Sequence, residues 1–310
     1  MDYNKVSPLF NYIGGKSWLK NNLRKSVETV LYNKNNIDTY VEPFAGGLGA
    51  FLGVYDLLFK NGIKNIVLND INGKLINFYK VVNESNNLIE NYMKIENEYV
   101  ETIPLEAKTL HKTKEKDSLK KLLENSESFY KEIRNKFNTN ISNVESAACL
   151  LFLQNHCFNG VYRENSSGGY NTPFNWEAKI FDREKIEEKI NSVKKVFKLF
   201  NVEFKVGSFA DIEYNKNTLY YIDPPYINED LVENKYNKSG FTVEMQKDLI
   251  NRLNGNYFIY SNHDNNILLE EFENFKQELF IQKIARKNII AASNESRKTD
   301  KIEILVFPLN

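Results

Sequence analysis

Five short apolar segments, separated by longer stretches with helical periodicity, constrain the fold of this chain more than any other feature. Each has three to six residues and is rich in Tyr, Val, Ile or Leu, which is typical of buried strands. They comprise residues 39–41, 66–68, 219–222, 257–260 and 302–307. Because strands that alternate with helices form a mainly parallel sheet covered on both faces, the sequence predicts an α/β fold.

Three helices are predicted between these strands. The first covers residues 50–59, which are mostly apolar, and ends near Gly62. The second carries four apolar residues at helical spacing: Leu75, Ile76, Tyr79 and Val82. Asp182 precedes the third helix and can cap its N-terminus.

Residues 85–180 differ from the rest of the chain, because they lack clear strands and include a charged helical stretch. Residues 108–136 carry nine Lys or Arg and five Asp or Glu, a composition that a solvated helix face explains. The stretch is typical of an insertion into an α/β core. We therefore expect a core of residues 1–84 and 181–310, with a second, mainly helical domain at residues 85–180.

Composition narrows the class of protein. Lys plus Arg equals Asp plus Glu at 41 each, which excludes a uniformly basic nucleic-acid-binding coat but not local basic faces. Two cysteines and three histidines are too few for a disulfide scaffold or a local zinc site, so we expect no metal. No run approaches the roughly 18 apolar residues of a membrane span, and the N-terminus has no apolar signal core. We expect a cytoplasmic, intracellular protein.

A Gly-rich turn follows the first predicted strand, and an acidic residue ends the second. Gly46, Gly47 and Gly49 precede a helix, whose free N–H groups can hold a ligand close to the backbone. Asp70 lies where a carboxylate can accept both hydroxyls of a ribose. The G-x-G-x-x-G pattern is absent, so an adenosine-bearing cofactor other than NAD fits better. A tight structural turn and a strand-end cap would show the same patterns.

The motif Asp-Pro-Pro-Tyr at residues 223–226 directly follows the apolar segment 219–222. Two prolines force the chain out of the sheet, and their carbonyl oxygens remain available as acceptors. Asp223 and the Pro224 carbonyl form a pair of acceptors suited to an exocyclic amino group. Tyr226 offers a flat face on which a planar base can stack. The alternative is a purely structural turn.

Residues 11–17 contain Gly-Lys-Ser, a sequence that suggests a P-loop. The P-loop pattern requires glycine at the position of Phe10, and no predicted strand precedes it. We therefore exclude an NTPase.

Residues 155–174 mix aromatic, Asn and Arg residues around Gly168 and Gly169, which favours a two-stranded ribbon. Arg163 can pair with guanine or a phosphate, and Asn159 and Asn171 can read base edges. An ordinary polar hairpin would have the same composition. Local basic stretches could add DNA contacts, since residues 1–37 and 283–301 each carry six Lys or Arg against two acids.

Together these residues resemble the Dam-type DNA adenine-N6 methyltransferases over nearly the full chain. The matching segments follow the family's order: an N-terminal motif at 12–16, cofactor motifs at 42–47 and 69–72, a recognition hairpin at 158–163 and 169–174, the adenine-type catalytic motif at 223–226, and late motifs at 261–264 and 297–305. Tyr12 stands where Trp is common in the family. Two departures are that Asn175 stands where Gly is frequent, and that residues 46–49 read Gly-Gly-Leu-Gly in place of a straight glycine run. Neither departure removes a needed chemical group.

The resemblance implies a Rossmann-like, S-adenosylmethionine-dependent methyltransferase core with a mixed, mostly parallel sheet. An inserted target-recognition domain would carry a β-hairpin. The residues expected to contact S-adenosylmethionine or line its pocket are Tyr12, Lys16, Phe44, Gly46, Asp70 and Asp223. The expected catalytic residues are Asp223, Pro224 and Tyr226, and the expected DNA-binding residues are Asn159, Arg163 and Asn171.

The implied reaction is methyl transfer to N6 of an adenine in double-stranded DNA, in a site that could resemble the GATC often targeted by the family. The adenine would be flipped out of the duplex, because its amino group is otherwise out of reach. A cognate restriction endonuclease is a second partner that such enzymes can have. The alternatives are methylation of cytosine N4 or of RNA adenine, and a non-catalytic DNA-binding protein. Cytosine-N4 enzymes more often have Ser in place of Asp223, which weighs against the first alternative.

Overall fold

The computed structural model describes residues 6–12, 15–32, 34, 36–110, 116–139, 143–177, 179–226, 240–286 and 301–309. Its strands are β1 Asn11–Tyr12, β2 Thr39–Glu42, β3 Asn65–Asp70, β4 Val161–Tyr162, β5 Asn201–Val206, β6 Thr218–Ile222, β7 Tyr257–His263, β8 Leu279–Arg286 and β9 Lys301–Pro308. Its helices are α1 Lys20–Leu31, α2 Gly49–Lys60, α3 Gly73–Glu84, α4 Leu88–Glu101, α5 Leu105–Leu110, α6 Lys116–Leu122, α7 Glu124–Thr139, α8 Val144–His156, α9 Arg183–Phe197, α10 Val243–Leu253 and α11 Asn266–Phe272. Single 3-10 turns form at Ser17–Leu19, Phe158–Gly160 and Phe209–Asp211.

The described residues form two compact units. The first draws on residues 1–15, 46–52 and 72–198, and the second on residues 16–45, 53–71 and 199–310. The expected division into a catalytic core and a recognition domain concerns function, and it stays a prediction.

The second unit contains a seven-stranded sheet in the order β5-β3-β2-β6-β7-β9-β8. Its strands are parallel except β9, which is antiparallel to both β7 and β8. All five apolar segments lie in strands of this sheet, so the predicted α/β class with a mostly parallel sheet is confirmed. Because β2, β3 and β6 run in one direction, Glu42, Asp70 and Ile222 all stand at the carboxyl edge.

Two strands, β5 and β8, are absent from the sequence prediction, and both lie at an edge of the sheet. In β5 exposed and half-buried residues alternate, with Glu203 and Lys205 exposed. In β8 exposed residues also alternate with half-buried ones, as Phe280 and Lys283 show. Edge strands need no continuous apolar run, and charged side chains protect them against pairing with other chains. Neither segment therefore has the pattern of a buried strand.

Amphipathic helix α10 contributes to the core of the second unit. Its residues Leu249, Ile250 and Leu253 are fully buried and belong to one apolar cluster with Tyr220 and Phe258 of the sheet. The helix begins at Thr242, whose hydroxyl accepts the backbone N–H of Met245. The cap and the apolar stripe together fix which side of α10 faces the sheet.

The first unit is mainly helical. In α8 almost every residue is buried, as expected for a helix that is apolar on all sides and central to its unit. Helix α7 presents Tyr130, Ile133 and Phe137 to the interior. The Tyr130 hydroxyl donates to the carbonyl of Thr172 at 2.9 Å, which ties residues 155–174 to this core.

The predicted ribbon at residues 155–174 forms in an irregular way. The segment folds back on itself through isolated antiparallel bridges between Cys157 and Phe174 and between Glu164 and Tyr170. Its short strand β4 pairs with β1 in parallel, at Asn11–Tyr12, instead of within the ribbon. The turn passes through Gly168, whose φ of +73° favours glycine.

The observed helix boundaries can be compared with the predicted C-terminus of α2 and the predicted N-terminus of α9. Helix α2 stops at Lys60, and Gly62 follows with a φ of +79°, so the predicted terminator is confirmed. Asp182 does occupy the N-cap position of α9, but its side chain accepts no backbone N–H. The predicted N-cap position is therefore confirmed, although the Asp182 carboxylate pairs with Lys185 at 2.9 Å and makes no cap hydrogen bond. Within the described part of the chain, no helix has the length and apolar character needed to cross a membrane.

Candidate active site

A buried cluster of charges in the second unit contains the predicted catalytic Asp223, which directly follows β6. The ammonium group of Lys16 lies 3.0 Å from Asp223 Oδ1 and 3.7 Å from Glu303 Oε2. The side chains of Lys16 and Glu303 are only 3% and 1% exposed, and that of Asp223 is 18% exposed. Water therefore screens these charges weakly, so their mutual distances strongly affect their energies.

Tyr226 completes the cluster. Its hydroxyl donates to Glu303 Oε2 at 3.3 Å and forms a hydrogen bond with Ser261 Oγ at 3.2 Å. The Lys16 ammonium lies 4.4 Å from the centroid of the Tyr226 ring, a cation–π contact that covers one face. The ring of His263 approaches edge-on at 4.4 Å. These contacts hold the aromatic ring that was predicted to stack on a base.

The surroundings shift the ionisation of two groups. Burial raises the pKa of Asp223 above its ordinary value, and the Glu303 carboxylate raises it further, while Lys16 and the Tyr226 hydroxyl oppose the shift. Burial and the carboxylates of Asp223 and Glu303 raise the pKa of Tyr226 far above its ordinary value. Tyr226 is therefore a neutral hydrogen-bond donor at any physiological pH.

A chain of buried hydrogen bonds holds the proline segment in place. The side-chain amide of Gln246 donates to the carbonyl of Pro225 at 2.9 Å. The Tyr260 hydroxyl donates to Gln246 Oε1 at 3.0 Å, and Asn262 Nδ2 donates to the Tyr260 hydroxyl at 2.7 Å. Because Gln246, Tyr260 and Asn262 are fully buried, this chain fixes the backbone beside Asp223. Pro224 itself is buried.

The carboxyl ends of β2 and β3 place the other predicted residues of the second unit. The Asn69 side chain donates to the carbonyls of Pro43 and Gly207 at 2.9 and 3.0 Å, which joins three loops at this edge. Asp70 follows Asn69 and is buried, with 9% exposure. The ring of Phe44 lies 5.8 Å from that of Phe209 and 5.6 Å from that of Phe241. This edge therefore combines a carboxylate with aromatic faces.

In the first unit the structure brings Tyr12 and the Gly-rich turn together. A Cβ atom at Gly47 would lie 2.6 Å from Tyr12 Cβ, so only glycine allows this contact. Gly46 adopts a φ of +48°, and its carbonyl accepts the Tyr79 hydroxyl at 2.8 Å. The glycines thus admit a neighbouring aromatic side chain, a requirement that the sequence pattern alone does not reveal.

Two of the predicted DNA-binding residues contact each other in the first unit. Arg163 donates to Asn171 twice, from Nε to the side-chain oxygen at 2.9 Å and from a terminal nitrogen to the carbonyl at 3.2 Å. Asn159 is exposed and has a φ of +58°, in the left-handed region that Asn tolerates. The neighbouring Tyr162 hydroxyl and Glu164 carboxylate accept hydrogen bonds from Asn72 at the start of α3, both at 2.9 Å.

Some expectations fall on residues that are not described. Ile13 and Gly14 of the N-terminal motif, and Arg297 and Lys298 of the late motifs, lie outside the described residues. Most of the basic stretch 283–301 lies there too. Among the residues that are described, no group of three or more His, Cys, Asp or Glu is placed to hold a metal ion.

Sequence reasoning assigned no role to Glu303 or Gln246, although each breaks a pattern. Glu303 is the only charge in the apolar segment 302–307, and Gln246 takes an apolar position in the helical series that continues with Leu249 and Leu253. A polar residue at a position reserved for the core indicates a partner in the interior. The sequence does not identify these partners, because Pro225, which accepts from Gln246, and Tyr226, which donates to Glu303, are distant in sequence.

Comparison with known proteins identifies the family. Residues 12–289 match the D12 class N6 adenine-specific DNA methyltransferase family. The chain is 29% identical to Type II methyltransferase M.MjaIII of Methanocaldococcus jannaschii, over 98% of this chain and 99% of that protein. It is 27% identical to Type II methyltransferase M1.LlaDCHI of Lactococcus lactis subsp. cremoris, over 95% and 93% respectively. It is 26% identical to the DNA adenine methylase of Escherichia coli strain K12, over 86% of each protein.

These matches agree with the fold and with the resemblance carried by the motifs. The mostly parallel sheet fits an S-adenosylmethionine-dependent methyltransferase fold, and the expected enzyme class, an adenine-specific DNA methyltransferase, is confirmed. The family match covers both compact units, since it runs from Tyr12 to residue 289. The chain belongs to the D12 class of N6 adenine-specific DNA methyltransferases.

Proposed function

We propose that this chain transfers a methyl group from S-adenosylmethionine to N6 of an adenine flipped out of double-stranded DNA. The buried cluster of Lys16, Asp223, Glu303 and Tyr226 at the end of β6 carries this proposal. It joins hydrogen-bond acceptors, negative charge and an aromatic face at one place, and the extruded amino group needs all three.

The residues present fit the cofactor. S-adenosylmethionine supplies an electrophilic methyl group on a positively charged sulfonium. Counted as ionised, the two carboxylates and one ammonium of the cluster leave one net negative charge, which favours a cation nearby. Asp70 at the end of β3 would accept the ribose hydroxyls, and Phe44 would line the pocket. Tyr12 and Gly46, which belong to the first unit, are proposed as cofactor contacts on the resemblance alone.

Asp223 and Tyr226 would orient the adenine. The Asp223 carboxylate and the Pro224 carbonyl would accept hydrogen bonds from N6, which directs its lone pair at the methyl carbon. The Tyr226 ring would stack on the base and replace the stacking lost from the duplex. As the methyl group passed from the sulfonium to N6, Asp223 or water would accept the proton that N6 releases. Asp223 also stabilises the positive charge that develops on N6.

Sequence recognition would belong to residues 85–180 of the predicted domain. Arg163 would exchange Asn171 for the edge of a guanine, and Asn159 and Asn171 would read neighbouring bases. A GATC-like site is the simplest target, since it contains guanine beside adenine. The Type II names of two relatives support a cognate restriction endonuclease as a further partner of the same system.

Mass analysis of nucleosides tests the proposal. Purified chain is incubated with methyl-labelled S-adenosylmethionine and, separately, with duplex DNA, single-stranded DNA and RNA of the same sequence. We expect N6-methyladenine in duplex DNA. N4-methylcytosine, or label in RNA alone, would replace the proposal with one of the two other acceptors.

The same preparation separates an enzyme from a non-catalytic DNA-binding protein. Ultraviolet crosslinking of labelled S-adenosylmethionine is expected to label the chain. The variant Arg24→Ala is a control for general loss of structure, since Arg24 pairs with Asp56 and is not part of the cluster. Absence of both crosslink and transfer, with DNA binding intact, would favour the non-catalytic protein. Sequencing of DNA from cells that express the chain then gives the recognition site.

A further inference from the structure

Glu303 is a fully buried carboxylate of the second unit, on the strand that lies between β7 and the edge strand β8. It lies in β9, where the next three residues, Ile304, Leu305 and Val306, are also fully buried. Opposite it stand His263 of β7 and Ile284 of β8. A charge in such a place is costly unless polar groups compensate it, so its partners indicate why the sequence retains it.

Two of the groups that compensate this charge belong to the proposed catalytic cluster. Lys16 Nζ lies 3.7 Å from Glu303 Oε2, and the Tyr226 hydroxyl donates to the same oxygen at 3.3 Å. One oxygen of Glu303 thus contacts both the cation bound to Asp223 and the ring expected to stack on the base. Lys16 thus forms ion pairs with two acidic side chains, those of Asp223 and Glu303.

We infer that Glu303 is a positioning residue for methyl transfer, which holds Lys16 and Tyr226 in the geometry that Asp223 and the adenine require. This inference rests on the proposed function. Glu303 shares the Lys16 ammonium with Asp223, so Lys16 lies between two acceptors instead of neutralising Asp223 alone. It also holds the far end of the Tyr226 side chain through its hydroxyl, which restricts the direction in which the ring points.

A carboxylate that served only the stability of the sheet would behave differently. Its removal would lower the melting temperature, and the folded fraction would keep its turnover. A positioning residue instead affects the step in which the geometry matters. Loss of Glu303 should then reduce kcat while substrate binding, which involves many other contacts, changes little.

The test compares Glu303→Gln with wild type and with Asp56→Asn. Gln keeps the shape of the side chain and removes its charge. Asp56 is the matched control, because it is also a buried carboxylate in an ion pair of this unit, with Arg24 at 2.5 Å, and it lies outside the cluster. Steady-state methylation of duplex DNA gives kcat and the KM values, and thermal melting gives stability.

We expect Glu303→Gln to lower kcat by at least about tenfold with both KM values within about threefold of wild type. We expect Asp56→Asn to lower the melting temperature and to leave kcat unchanged. Unchanged kcat in Glu303→Gln, or a loss confined to KM, would overturn the inference. A wild-type protein that forms no N6-methyladenine would instead overturn the proposed function, and the inference with it.

Tyr226→Phe keeps the inference testable if Glu303→Gln does not fold. Phe retains the ring and removes only the hydroxyl that bonds Glu303 and Ser261. A drop in kcat with unchanged KM is expected here as well. Where Glu303→Gln folds, the two substitutions should be less than additive in a double-mutant cycle, because one removes the charge of the acceptor and the other removes the donor of the same hydrogen bond. Wild-type kcat in Tyr226→Phe, or full additivity in the cycle, would contradict the inference.

Discussion

The buried cluster around Asp223 and the exposed pair of Arg163 and Asn171 both join polar groups, but water reaches them to very different extents. Lys16 is 3% exposed, so its contact with Asp223 at 3.0 Å lies in a region of low dielectric constant. Arg163 is exposed, and its bonds to Asn171 at 2.9 and 3.2 Å compete with solvent. The first arrangement is held in place before any substrate binds, whereas the second can exchange its partner at little cost.

This difference matches two different demands on a site-specific enzyme. Chemistry on an amino group benefits from charges that need no reorganisation during the reaction. Reading a sequence requires donors and acceptors that leave one partner for another, since each candidate site must be sampled and released. The structure therefore predicts that substitutions in the cluster change rates, and that substitutions in the ribbon change selectivity.

The largest effect is expected at the centre of the cluster. Asp223→Ala should lower kcat by at least about 1000-fold, because it removes both the acceptor for N6 and the charge that stabilises it. Binding of S-adenosylmethionine, measured by calorimetry, should weaken only in part. Full activity in this variant would show that Asp223 is not catalytic. It would also contradict the claim that substitutions in the cluster change the reaction rate.

A smaller effect is expected in the ribbon. Arg163→Ala should reduce the preference for the cognate site over a single mismatch by about 10- to 100-fold, the usual value of a bidentate contact to guanine. The measurement compares kcat/KM on the two duplexes. Arg183→Ala is the matched control: Arg183 is also exposed in the first unit, but it is paired with Glu90 and Glu187. Equal discrimination in both variants would remove Arg163 from the set of reading residues.

The pH dependence of the rate should separate the two regions again. The pKa of Asp223 is raised by burial and by Glu303 and is lowered by Lys16 and Tyr226, and Tyr221 and Tyr260 also face it. The carboxylate is the active form, so kcat should rise with pH, with a midpoint above the ordinary Asp value. Glu303→Gln should move this midpoint down and Lys16→Met should move it up, because the two neighbours have opposite charges. Arg163→Ala should leave it in place.

Sequence patterns identified residues of the cluster, but they did not predict which of these residues contact one another. Asp223 was found because it ends a strongly apolar segment, and the mostly parallel sheet followed from five such segments. Glu303 was within one of them, but its role depends on Tyr226, which lies 77 positions away. The edge strands β5 and β8 were missed because exposed and half-buried residues alternate in them, so neither contains a continuous apolar run. Contacts that join distant segments leave no mark on local periodicity.

The smallest effect extends the comparison from function to stability. Asn143 caps buried helix α8, and its side chain accepts the N–H of Ser146 at 2.8 Å. Asp182 stands at the start of α9 and makes only an exposed ion pair with Lys185. Asn143→Ala should lower the free energy of unfolding by about 1 kcal/mol, whereas Asp182→Ala should change it by less than about 0.5 kcal/mol. Urea unfolding of both variants measures the difference. Equal losses would mean that a side-chain bond to a partly buried backbone N–H stabilises this unit no more than an exposed ion pair does, and the distinction between the cluster and the ribbon would then need another cause.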